Sequence, residues 1–79
     1  MSKTDRSNRI VLTSLEDDEG RYCVDIYRTR DLKILWDEWR RDPEDPSGWR
    51  ATGRRAAKDF ESETDAKRAA YLAVAWLSN

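Results

Sequence analysis

The longest apolar run of the chain, Ala69 to Leu77, lies in its last segment, and the apolar positions around it recur at helical spacing. At about 100° per residue, Ala66, Ala69, Ala70, Ala73, Trp76 and Leu77 share one face. Lys67, Arg68, Tyr71 and Ala75 point the other way, with Leu72 and Val74 at the border. Ser62 is placed to cap this segment. Asp65 falls in its first turn, where a carboxylate favours the positive end of the dipole. The pattern predicts a helix from Ser62 to Asn79 with a face made mostly of alanine, able to lie close to whatever it covers. A helix this short is marginal in isolation, so the preceding chain must supply a surface for it.

That chain reads as strands. Arg9 to Leu15 is rich in β-formers, and Tyr22 to Arg28 alternates, with Tyr22, Val24 and Ile26 on one face and Cys23, Asp25 and Tyr27 on the other. Glu16 to Gly20 between them, four consecutive acids and a glycine, makes the pair a hairpin. Residues 32–41 fit two patterns. Leu32, Leu35, Trp36 and Trp39 follow helical spacing, with Asp31 as a cap. A strand instead puts Ile34 and Trp36 on one face and Leu35, Asp37 and Trp39 on the other. Periodicity slightly favours the helix. Aromatic and branched content, and the instability of a lone hairpin, favour the strand, which we assign.

The run from Asp42 to Gly48 is a turn because Pro43 and Pro46 prevent regular pairing. Trp49 to Lys58 forms a last strand, weakened or bulged at Gly53, and Phe60 packs beneath the helix. The expected fold class is α+β: an antiparallel four-stranded β-meander with one C-terminal helix packed on one face. Residues 1–8 form a loose tail and 9–79 a single β-β-β-β-α domain. The sheet face away from the helix carries Tyr27, Asp25, Leu35 or Trp39, and arginines.

Arg40-Arg41-Asp42-Pro43-Glu44-Asp45, Gly48-Trp49, Phe60-Glu61-Ser62-Glu63 and Ala75-Trp76-Leu77 resemble the pattern of a group of small bacterial domains. The likeness spans roughly residues 22–77. It implies the meander-plus-helix fold and brings no assigned activity. The chain departs from that pattern at Asp31-Leu32, where a turn glycine is expected. In compact size, acidic turns and dense charge the chain is also similar to phage-encoded anti-CRISPR proteins. That likeness implies a non-enzymatic inhibitor of a host nuclease or of its guide-RNA complex.

The chain has 79 residues, of which 39% are charged and 38% hydrophobic, with a formal net charge of −1. Such a balance disfavours a freestanding nucleic-acid binder. No histidine is present and Cys23 is the lone cysteine, so an internal disulfide is excluded and the commonest general base and metal ligand are missing. Neither acidic run has the alternating ligand spacing of a calcium loop. No nucleophile or phosphate-loop motif occurs. The expectation is therefore no enzyme, no cofactor and no metal. No apolar stretch approaches a membrane span, and the polar first eight residues do not read as a signal peptide, so the expected location is cytoplasmic.

Three functional readings remain. In the first, Asp17, Asp18, Glu19, Asp42, Glu44 and Asp45 at the hairpin ends supply charge, and Trp39 and Trp49 anchor a host protein or ribonucleoprotein partner. In the second, ranked lower, Arg50, Arg54 and Arg55 with Trp49 hold a single-stranded nucleic acid on the sheet face. In the third, the chain is a domain that only dimerises, with Tyr71 and Ala75 on the outer helix face as the contact; the expected state is a monomer or weak homodimer.

Overall fold

A computed structural model describes residues 9–42, 44 and 48–78. Four strands, β1 (Arg9–Glu16), β2 (Tyr22–Thr29), β3 (Ile34–Arg40) and β4 (Arg50–Arg55), form one sheet in chain order. Each is antiparallel to the next. Helix α1 (Glu63–Ala73) packs on β2 and β3. The predicted α+β meander is the observed architecture, and the ambiguous segment is a strand.

Residues 34–40 extend because both of their faces find partners that way. Trp36 lies opposite Ile26 under the helix, while Leu35, Asp37 and Trp39 lie opposite Tyr27, Asp25 and Cys23 on the other face. A helix would have placed Leu32 on the buried side; Leu32 instead sits in the β2–β3 turn, 73% exposed. Phe60 prolongs the sheet by exchanging backbone hydrogen bonds with Ile34 at 2.8 and 3.4 Å.

The C-terminal segment departs from the expected continuous helix. Ser62 caps it as predicted, its hydroxyl accepting from the Asp65 N–H at 3.1 Å. The helix stops at Ala73 because Val74 adopts an extended conformation, and Ala75–Leu77 form a separate 3-10 turn. The buried residues are consequently Ala66, Ala70 and Val74, each four apart, packed on Val24, Ile26 and Trp36. Ala73, expected on that face, is exposed, as is Leu72 at 85%. Trp76 and Leu77 still pack against the core edge, but from the 3-10 turn.

Their position is fixed by a buried acid. Glu38, only 4% exposed and on the helix side of β3, accepts from the Trp76 indole N–H at 2.7 Å through Oε2. Its Oε1 accepts from the Thr52 hydroxyl at 2.7 Å and faces Arg54 Nε at 3.7 Å. Arg54 also donates to the Ala73 carbonyl at the end of α1, at 3.4 Å. One carboxylate thus joins β3, β4 and the C-terminal turn. The register of β4 breaks opposite it, between Asp37 and Trp39. Gly53 supplies the positive φ of 93° that this bulge requires.

In the β2–β3 turn, Leu32 N–H donates to the Thr29 carbonyl at 3.0 Å, and Thr29 N–H to the Lys33 carbonyl at 2.8 Å. This three-residue loop puts Leu32 at a φ of 65°, a left-handed position that favours glycine. The missing turn glycine noted in the sequence is therefore replaced by a strained leucine. Leu32→Gly should raise unfolding stability by about 0.5–1 kcal/mol, the steric relief less the entropy of a glycine. A higher urea midpoint checks this; an unchanged or lower one would show that the side chain contributes contacts. Glu38→Ala should cost about 3 kcal/mol, because it strands the Trp76 and Thr52 donors. Glu38→Gln, which keeps an acceptor, should lose measurably less in the same titration.

Candidate interaction surface

Strand direction alternates through the meander, so the β1–β2 and β3–β4 turns emerge at the same end of the sheet. Arg41 ties them together. Its N–H donates to the Arg21 carbonyl at 2.7 Å, its Nη2 donates to the Gly20 carbonyl at 2.8 Å, and its guanidinium lies 4.6 Å from the centre of the Trp49 ring. Gly20 has a φ of 69°, and a Cβ there would stand 3.2 Å from Arg41 Nη2. The glycine serves both the turn and the approach of the arginine.

The predicted acidic residues play unequal parts at this end. Asp17 holds its own turn, Oδ1 accepting from the Arg21 and Tyr22 N–H groups at 2.8 and 3.1 Å. Asp42 accepts from the Glu44 N–H at 3.0 Å, while Asp18, Glu19, Asp42 and Glu44 are all exposed. Asp45 lies outside the described residues. Trp49 is half-buried beneath Arg41. Trp39 does not fit the anchor role: it is 2% exposed, with its indole N–H bonded to Asp37 at 2.9 Å.

Two clefts flank the tie. One, of about 320 Å³, sets the guanidinium groups of Arg21, Arg40 and Arg41 beside Asp42 and Glu44. These acids have cations of their own chain at hand. The other, of about 630 Å³, runs between the first turn and the C-terminal 3-10 turn. Its apolar side is built from Leu15, Tyr71, Trp76 and Leu77, its polar side from Ser14 and the four acids Glu16 to Glu19. No lysine or arginine lines it among the described residues. The sequence places Tyr71 on the outer helix face, as a candidate dimer residue; with the break at Val74, Tyr71 and Trp76 line one cleft, which periodicity alone does not show.

The face away from the helix is closed at its centre. Asp25 is fully buried there with Cys23, accepting from the Ser14 hydroxyl at 2.7 Å and the Cys23 thiol at 3.4 Å. Across the strand pair, Asp37 accepts from Arg9 at 3.1 Å, and the Arg9 guanidinium lies 3.3 Å from the Tyr27 ring centre. Paired, desolvated carboxylates draw these donors over the sheet, which is why Trp39 and Asp25 are covered. Arg9 was not singled out by the sequence because its partner is 28 residues away.

The arginines of β4 do not share a face. Arg50 lies opposite Arg40 on the helix side, Arg54 turns to Glu38 and Ala73, and Arg55 lies opposite Asp37 on the other side. Arg50 and Arg54 thus lie on the helix side and Arg55 on the opposite face. Among the described residues no cluster of acids and cysteine is arranged to hold a metal ion, and no helix is long and apolar enough to cross a membrane.

Burial pushes the Tyr27 phenol above the ordinary tyrosine value of 10.0; Arg9 and Arg55 oppose the rise and Asp37 adds to it. Below that value both folded and unfolded chains keep the proton. Above it the unfolded chain loses its proton first, so stability should fall as pH climbs toward the folded value. Urea midpoints measured across this alkaline range should show the decline, and Tyr27→Phe should flatten it; identical profiles would contradict it. Compared with known proteins, the chain matches no family model, no curated protein and no solved structure.

Proposed function

We propose that this chain is a small, non-enzymatic protein-binding module whose acidic end occupies a basic, nucleic-acid-binding surface of a protein or ribonucleoprotein partner. It would act in the manner of a phage-type, anti-CRISPR-like inhibitor. The observation that carries this reading is the convergence of both acidic turns at one end of the sheet, held in register by Arg41. Carboxylates gathered at one end of a sheet can imitate phosphates and steer diffusion toward a basic groove. Asp18, Glu19, Asp42 and Glu44 supply the exposed charge, while Asp17 maintains the first turn. Trp49, half-buried under Arg41, contributes apolar contact at the rim. The dispersal of Arg50, Arg54 and Arg55 over both faces weighs against direct nucleic-acid binding.

The test has two arms. A labelled mixed-sequence single strand and duplex should show no retention by the protein at low salt. Tight binding whose log affinity falls linearly with log salt would reverse the reading, since it would mean that arginines contact phosphates. Purified guide-RNA nuclease complexes should lose target-DNA binding when the protein is added. Asp42→Lys with Glu44→Lys should weaken that inhibition by at least about tenfold; inhibition unaffected by the charge reversal would count against the acidic end.

A further inference from the structure

We propose that the cleft between the first acidic turn and the C-terminal 3-10 turn receives an arginine side chain presented by the partner; this rests on the protein-binding reading above and names the chemistry that the acidic end accepts. The molecule repeats one local arrangement: an aromatic ring, a neighbouring carboxylate and a guanidinium laid on the ring. Arg9 covers Tyr27 at 3.3 Å with Asp37 bonded beside it. Arg41 covers Trp49 at 4.6 Å and lines a cleft with Asp42 and Glu44. The third arrangement has the rings of Tyr71 and Trp76 and the acids Glu16, Asp18 and Glu19, and no cation of the described chain lines it. It is complete except for the guanidinium.

Shape and charge agree. At about 630 Å³ the cleft is roughly twice the volume of the one that Arg41 lines beside Asp42 and Glu44. The last turn of α1 has no basic residue of its own, but Arg54 donates to its Ala73 carbonyl, so the negative field of the cleft is that of the four acids. The Trp76 indole N–H is bonded to Glu38 and its ring packs at a tilt against Tyr22, with 6.1 Å between centroids, so the part that lines the cleft offers apolar and π surface rather than a donor. A planar guanidinium can stack on such a ring while its edge donates two bonds to a carboxylate; a lysine ammonium cannot do both. The second turn, beside Arg21, Arg40 and Arg41, contributes general charge but not this pocket.

The probe is an end-blocked glycine–arginine–glycine peptide, with its citrulline counterpart as the neutral isostere, titrated into the isotopically labelled full chain and followed by NMR. The arginine peptide should shift the Trp76 indole N–H and the amides of residues 16–19 saturably, with affinity about tenfold above that of the citrulline peptide. Tyr71→Ala, and separately Asp18→Asn with Glu19→Gln, should each weaken binding by roughly five- to tenfold. All three positions are exposed and away from the core, and unchanged spectra elsewhere verify the fold. Asp42→Asn with Glu44→Gln should leave peptide affinity within about twofold. Equal binding of the two peptides, or shifts centred on Arg41 to Glu44, would overturn the assignment. A cleft selective for arginine in a protein that inhibits no nuclease complex upholds this inference and overturns the broader one; inhibition without peptide selectivity does the reverse.

Discussion

The carboxylate of Glu38 is the constraint from which the C-terminal half of this fold follows. A buried acid must have its lone pairs satisfied, and the donors that satisfy it come from β4 and from Trp76 in the 3-10 turn beyond α1. Thr52 can reach it only because β4 bulges at Gly53, and Trp76 only because the helix ends at Val74. The alanine face brings α1 close to the sheet, but Ala66 and Ala70 carry no group that fixes where the chain goes next. The polar contact does. Hydrophobic burial sets which face is inside, and one acid sets how the segment terminates.

Most of the architecture is legible in the sequence because it depends on local signals. Alternation in Tyr22–Thr29, the Gly20 turn, the break at Gly53 and the Ser62 cap are each readable within a few residues, and each is present. The strand over Ile34–Arg40 follows from a fold-level constraint, the need for more strands beneath the helix, since its periodicity alone leans toward a helix. What could not be read depends on distant partners. The early end of α1 answers to Glu38, 38 residues from Trp76. The burial of Trp39 answers to Asp37 and the polar layer around it, so an aromatic expected at the surface is inside. The cleft beside Tyr71 exists only after both of these are settled.

Charge in this molecule is organised rather than merely abundant. On the face away from the helix it is internal, with Arg9, Asp37, Asp25 and Ser14 closing over the sheet. At the second turn it is balanced locally, carboxylate against guanidinium. Only beside the first turn do acids gather without a described cation among the lining groups. The near-zero net charge of the chain therefore conceals an asymmetry, and the asymmetry is where recognition by another macromolecule has the most to work with.

The irregular registers fall on the outer strands. β2 and β3 pair without interruption, whereas β1 slips between Val11 and Thr13 and β4 slips at Gly53. A bulge twists a strand and interrupts its row of free N–H and C=O groups, so a foreign strand docking on either side meets no continuous ladder. The sheet is thereby guarded against growth by strand addition, the usual hazard of an open meander. At its ends the sheet presents turns and their side chains rather than backbone edges, so the pairing that any extended peptide could supply has no template there.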